Sequence, residues 1–350
     1  MHNLLATQIR PLTSGLDQYH DLFVELLYKS VSVDVMVGYV SEDSVIELLY
    51  LLEQHESIER FNLIVGMAKF DGISQSQSDA LVKLDRYLRE KCLGDVHFAI
   101  VAPVHAKASL FIESRSKHYS IVGSSNLSGI QKNIRQFELD VCSDDQKFCS
   151  DVQDAIGRVR DVGSKSLSES LNSINIYEPP NSLLSGLENV HRDSLGFSQD
   201  MLSSTTFQLP LKAEPKSNLN VFFGKGRQSH GYVIPRNWYE VELIVGVEVT
   251  RNIGYPLEGT SDATFDVITD DGWTFTCTVN GQNSKNFRSQ GDLKVLGKWI
   301  KGRLQQSGSL TIGEPVTQTV LDHYGRNSIG FTKFKDESRW YLDFKRPTTR

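Results

Sequence analysis

The chain has 350 residues, room for two ordinary domains, and its 39% hydrophobic and 23% charged residues are the balance of a globular protein. No run of about 18 apolar residues occurs, so no membrane-spanning helix is expected, and the opening Met1-His-Asn-Leu-Leu-Ala-Thr-Gln lacks the basic-then-apolar layout of a signal peptide. A net charge of −6 argues against a general nucleic-acid binder, and Cys92, Cys142, Cys149 and Cys277, which have no metal-ligand spacing, are expected as reduced thiols of a cytoplasmic protein.

In chain order, apolar residues recur with helical spacing over 17–30, and a strand is expected over 31–40. Ser41 is placed to cap a helix running to about Glu53. A strand over 61–67, an amphipathic helix over 75–91 and a strand over 96–102 follow. Strands are then expected over 107–112, 119–123 and 136–142, and a helix over 146–162. Alternating strands and helices predict an α/β domain, a mixed sheet flanked by helices. Beyond residue 163 Ser and Asn become frequent, Pro179-Pro180 interrupts and periodicity weakens, as in a linker with short helical pieces.

From residue 219 short strand runs dominate: 220–223, 232–234, 239–245, 263–269, 273–279 and 328–334, with turns at Asp271-Gly272 and Asn280-Gly281 and one or two helices, the clearest near 291–304. That pattern predicts a mostly β barrel or sandwich. The expected division is an α/β domain over 1–165, a linker over 166–215 and a β domain over 216–350. Charge is unevenly spread along this second half. No acid lies between Glu214 and Glu240, where Lys216, Lys225, Arg227 and Arg236 fall, nor between Asp271 and Asp292, where Lys285 and Arg288 fall. Local basic patches of this kind matter more to a polyanion than the overall charge does.

The candidate chemistry lies in the first half. His105 and Lys107 precede or open one strand, and Gly123-Ser124-Ser125-Asn126 ends another. Residues two apart on a strand point the same way. An imidazole, an ammonium, a hydroxyl and an amide are thereby gathered at neighbouring strand ends, a set able to attack and neutralise a phosphodiester. Taken singly, a His-x-Lys pair or a Gly-Ser-Ser-Asn turn is commonplace; it is the joint arrangement that carries the signal.

That arrangement, His-x-Lys followed by strand, turn, strand and Gly-Ser-x-Asn, resembles the signature of the phospholipase D superfamily. The resemblance implies His105 as a nucleophile forming a phosphohistidine, with Lys107, Ser124 and Asn126 holding the non-bridging phosphate oxygens and no metal or other cofactor required. A second histidine would protonate the leaving oxygen. Two departures stand out. The usual acid five residues after the lysine is here Ile112, with Glu113 expected as a surface charge. Glu138, on the strand after the Gly-Ser-x-Asn loop, is expected to serve instead; it is favoured over Asp140 on spacing, although alternation puts both on one face. The chain also has a single His-x-Lys, so the resemblance implies a homodimer through the first domain that brings two His105 side chains together.

The second half resembles the B3 DNA-binding pseudobarrel, through Val233-Ile-Pro-Arg236, Trp273-x-Phe275 and Leu296-Gly-Lys-Trp299. By that likeness Lys225, Arg227, Gln228, Ser229 and His230, with Arg236 and Asn237, form one arm toward double-stranded DNA. Gln282, Asn283, Lys285, Asn286 and Arg288 form the other, while Trp273, Phe275 and Trp299 are expected in the core. Arg, Lys, Asn and Gln are the residues that neutralise phosphates and read base edges. Together the two halves resemble the metal-independent type II restriction endonucleases of the BfiI and NgoAVII/NgoFVII types. That likeness implies a cognate methyltransferase in the host and, in some members, an ATPase subunit. A non-specific nuclease or phospholipase of the same superfamily, and a non-catalytic DNA-binding regulator, are the alternatives.

Overall fold

The computed structural model describes all residues except 1, 10, 56, 133–135, 178–181, 186, 188, 193–198, 230, 336–338 and 348–350. They fall into two compact units: residues 1–178 with 228–234, and residues 179–227 with 235–350.

The first unit is built on a nine-stranded mixed sheet. At its centre the strands Ser32–Val37, Arg60–Val65 and Val96–Ala99 run parallel, as strands joined by crossover helices do. The helices Glu42–Glu53 and Gln75–Glu90 make those crossovers, and each starts on a capping box, Ser41 with Ser44 and Ser74 with Gln77. On the other side of Ser32–Val37 the strands Lys107–Ser114, Lys117–Gly123 and Leu139–Ser143 continue antiparallel. The N-terminal strand His2–Ala6 pairs with Leu139–Ser143, and its alternation is too short to stand out in the sequence. The helix Gln146–Arg158 covers one face by placing Cys149, Val152 and Ile156 against Met36, Ile64, Ala108 and Leu110. The helix Tyr19–Lys29 buries Tyr19, Phe23, Val24, Leu26 and Leu27, with Phe23 edge-on to Phe111 of the sheet. Cys142 and Cys149 are both buried, and all four cysteines are free thiols. Among the described residues no helix is long and apolar enough to cross a membrane.

The second unit is an eight-stranded, mostly antiparallel sheet whose end strands, Leu202–Pro210 and Leu243–Ile244, are not paired with each other. Phe207, Phe265, Phe287, Phe331 and Trp340 interlock at its centre, with Phe331 stacked on Trp340 at 3.9 Å. Trp273, Phe275 and Trp299 are buried in this core. The helix Lys294–Gln306 buries Leu296, Trp299, Ile300 and Leu304, and Trp299 Nε1 donates to Asp271 at 3.0 Å.

Several sequence expectations are overturned in detail. Leu202–Pro210, inside the stretch read as linker, is a strand paired with Ser328–Phe334. Its Ser and Thr residues look like linker composition, yet Thr packs well on a pleated surface. The expected strand 220–223 is a 3₁₀ turn, Asn218–Phe223. Its apolar run is buried, and the buried Asn220 amide ties it down by bonding Glu214 O, Val316 O and Val316 N, all at 2.8 Å. Of 239–245 only Leu243–Ile244 is a strand. The turn at Asn237 takes up the residues before it.

Candidate active site and nucleic-acid interface

The antiparallel register places Lys107 opposite Gly123, and Gly123 opposite Asp140, so three strands end on one rim. His105 stands just before the first of them. The backbone that delivers it passes directly over Gly66, where an added Cβ would lie 1.8 Å from the Val104 carbonyl oxygen, so only glycine is tolerated. An open cleft of about 650 Å³ lies at this rim, lined in part by His105, Lys107, Ser124, Asn126 and Glu138. The structure thus brings together all five residues singled out in this half of the sequence.

Within the cleft, Lys107 is buried. Its Nζ donates to the His105 carbonyl at 2.7 Å and lies 3.0 and 3.2 Å from the two ring nitrogens. Burial pushes its ammonium below the usual lysine range, and the carboxylate of Glu138 pushes the other way. Asn126 accepts from Tyr39 N through Oδ1 at 3.0 Å, which orients the amide and leaves Nδ2 to donate elsewhere. Ser124 is tied to the strand beside it, accepting from Leu139 N at 3.0 Å and donating to Leu139 O at 3.3 Å.

The two acids at the start of the strand Leu139–Ser143, Glu138 just before it and Asp140 within it, separate by environment. Glu138 lines the cleft, half-buried. Asp140 is buried beneath it and holds the loop: its carboxylate accepts from Ser125 N at 3.1 Å and from Ser125 Oγ at 2.5 Å. Burial pushes the Asp140 carboxyl up, against the two Ser125 bonds. Glu113 pairs with Lys117 at 2.7 Å, a surface contact.

Sequence reasoning missed several residues of this site. Tyr39 turns its ring edge to His105 at 5.6 Å and donates from its hydroxyl to Asp71 at 2.6 Å. Ser41, Ser128 and Gln136 also line the cleft. The available signal was the end of the 31–40 strand, since a neighbouring strand must reach the same rim. Gly38 lies closer still, with the position of its absent Cβ 3.3 Å from His105 Cδ2 and 3.5 Å from Asn126 Oδ1. Among the described residues His105 is the one histidine lining the cleft. His55 instead meets Ser30 O at 3.1 Å, and His97 meets Asp95 and Ser164 at 3.1 and 2.9 Å. Among the described residues no group of three His, Cys, Asp or Glu side chains is placed to hold a metal ion.

In the second unit Lys225 and Arg227 are exposed and Arg236 is half-buried. Arg227 and Arg236 both bond Glu240, at 2.9–3.2 Å. Asn237 is buried, and its Oδ1 accepts from Tyr239 N at 2.9 Å, so its side chain shapes a turn. On the other expected arm Gln282 and Asn283 are exposed, while Lys285, Asn286 and Arg288 are half-buried. Asn283 and Ser284 adopt left-handed backbone, φ 61° and 53°, which makes a tight loop. Arg288 lies 3.7 Å from Glu242. Gln228 is exposed and Ser229 ends the short strand Arg227–Ser229, both in the segment grouped with the first unit; His230 lies outside the described residues.

Comparison with known proteins agrees with both halves. Residues 18–174 match the family described as the NgoFVII restriction endonuclease N-terminal PLD domain, and residues 198–335 match the NgoFVII C-terminal B3-like DNA-binding domain. The mixed α/β sheet and the open β half-barrel are the folds those descriptions imply. No curated protein matches the chain. Solved structures similar to it include Nuc from Salmonella typhimurium, a phospholipase D family member (11% identity, 47% of this chain and 97% of that one, TM-score 0.33). NucT from Helicobacter pylori (11%, 45% and 94%, TM-score 0.31) and yeast tyrosyl-DNA phosphodiesterase (12%, 41% and 32%, TM-score 0.27) are others.

Proposed function

This chain belongs to the NgoFVII family of restriction endonucleases, a PLD nuclease domain followed by a B3-like DNA-binding domain, and from that premise we propose that it cuts duplex DNA without a metal, through a phosphohistidine. The observation that carries the reading is the convergence of His105, Lys107, Ser124, Asn126 and Glu138 on one cleft. A nucleophile beside a buried cationic donor and a half-buried amide donor suits attack on a phosphodiester.

In the proposed reaction a ring nitrogen of His105 attacks phosphorus, forming the N–P bond as the P–O bond to the leaving nucleoside oxygen breaks. Lys107 exchanges its contact with the ring for a non-bridging oxygen, and Asn126 Nδ2 donates to another. Glu138 sustains the Lys107 ammonium and orients the histidine. The leaving oxygen takes a proton from a second histidine, which then removes one from the water that opens the phosphohistidine. With one histidine in the cleft, that group is assigned to His105 of a second copy, across a two-fold axis. Residues 1–165 would cut, and the arms of 216–350 would choose where.

Incubating the full chain with plasmid DNA in EDTA tests this reading. Discrete fragments are expected, and His105→Ala is expected to abolish them while retaining DNA binding. A smear would point to a non-specific nuclease. Cleavage that EDTA stops would refute the metal-free mechanism. An ATPase subunit and a cognate methyltransferase are the partners this reading expects, in the cytoplasm.

A further inference from the structure

The acid-free stretch that marks the first DNA arm ends on Glu240, and its arginines converge on that residue. The Glu240 side chain is only 5% exposed. Its Oε1 accepts from Arg227 Nη1 at 3.2 Å, and its Oε2 accepts from Arg227 Nη2 and Arg236 Nε, both at 2.9 Å. A carboxylate offers about four lone-pair sites, and three are taken by these two guanidinium groups. The contact is the bidentate fork geometry that gives arginine pairs their directionality.

The turn that presents Glu240 is itself specified. Asn237 Oδ1 accepts from Tyr239 N, and Glu240 N donates to Asn237 O, both at 2.9 Å. Trp238 and Tyr239 are buried within that turn. Arg227 and Arg236, nine residues apart in the sequence, thus meet on a single buried carboxylate. The triad keeps a net charge of +1. Among the described residues Arg236 spends only Nε on Glu240 and retains its Nη pair, the bidentate edge that suits a guanine or a phosphate. The second arm repeats the theme more loosely through Glu242 and Arg288.

We infer that Glu240 is a positioning residue for DNA recognition: its buried carboxylate gathers Arg227 and Arg236 into one fixed donor cluster. The inference rests on the reading that these two arginines contact DNA. Fixed arginines favour base-edge geometry, whereas released ones settle on phosphates at any sequence.

The experiment selects duplexes from a random-core pool with the full-length wild-type chain, then measures binding of the enriched duplex and of an unselected duplex across salt concentrations. For Glu240→Gln, affinity for the enriched duplex should fall about tenfold or more. Affinity for the unselected duplex should hold or rise, with the salt slope steepening by about one. If the effect runs through the arginines, the same change in an Arg227→Ala/Arg236→Ala background should add little. Glu240→Asp keeps the charge on a shorter side chain, and provides the readout if the glutamine variant does not fold. It should weaken preference for the enriched duplex while leaving the salt slope unchanged. Equal changes on both duplexes, or none, for the folded variant would overturn the role of Glu240. A wild-type chain that enriches no sequence would overturn the recognition reading beneath it.

Discussion

Replacing Gly38 with alanine tests whether His105 is the reacting group, because the substitution presses on the ring and little else. The new Cβ would sit 3.3 Å from His105 Cδ2 and 3.5 Å from Asn126 Oδ1. Carbon atoms prefer roughly 3.5–4.0 Å, so the ring must move by about a third of an ångström. If a misplacement of about 1 Å costs on the order of 100-fold in rate, logarithmic scaling gives about a fivefold slower chemical step. Stability should barely change. Gly38 is not in the left-handed region, and alanine at such a position gains about 0.4–1 kcal/mol through the unfolded chain, which offsets the contact. Single-turnover plasmid cleavage beside a thermal melt gives the answer. An unchanged cleavage rate would refute the placement of His105 at the reacting centre, and a rate that falls only in step with Tm would reduce the effect to folding.

Glu138→Gln removes the carboxylate that supports the buried Lys107 ammonium, so the alkaline limb of kcat/KM should move to lower pH with Tm unchanged; a limb that stays in place would refute the coupling. Asp140→Ala should instead cost about 3 kcal/mol of stability through two lost bonds to Ser125, measured by denaturant unfolding. Lys301 is fully buried beside the Trp238 carbonyl and ring, and burial pushes its ammonium down to about 7. Its folded pKa lies below the unfolded value, so the unfolded chain binds more protons above pH 7 and stability rises with pH there. The slope is about 0.7 kcal/mol per pH unit at pH 7 and approaches about 1.4 above pH 8, and Lys301→Met should remove it; equal slopes in both proteins would contradict this. Co-assembling equal amounts of wild-type and His105→Ala chains should leave about a quarter of the wild-type cleavage, since a two-fold site needs both copies intact. Half would indicate that each copy cuts alone.

Much of this molecule was legible because its signals were local. The 3.6 and 2.0 periodicities located the helices Glu42–Glu53 and Gln75–Glu90 and the strands that end at the cleft. The spacing of His105, Lys107, Ser124 and Asn126 mattered because it puts them at or just beyond the ends of the strands Lys107–Ser114 and Lys117–Gly123, on one rim, although only Lys107 of the four lies within a strand. For Gly38 and Tyr39 there was only a hint in the sequence, the end of the 31–40 strand, because their nearness to His105 depends on the antiparallel pairing of Ser32–Val37 with Lys107–Ser114, which no single stretch encodes. The strand Leu202–Pro210 was hidden by its Ser and Thr content, since its partner lies more than a hundred residues away.

The acids show most clearly what a one-dimensional reading lacks. Glu138 and Asp140 are two residues apart, yet Glu138 lies just before the strand Leu139–Ser143 and lines the cleft beside Lys107, while Asp140 lies within it, buried and holding Ser125. Alternation could not separate them, because it does not say that the strand begins only at Leu139. Glu240 was noticed only as the end of a basic stretch, although it is the group on which that stretch closes. In both units the cations that suit a phosphodiester are conspicuous in the sequence, while the carboxylates that hold them are not. A cation acts through its charge wherever it is exposed, but a buried carboxylate acts through the few atoms packed against it, and those are chosen by the fold.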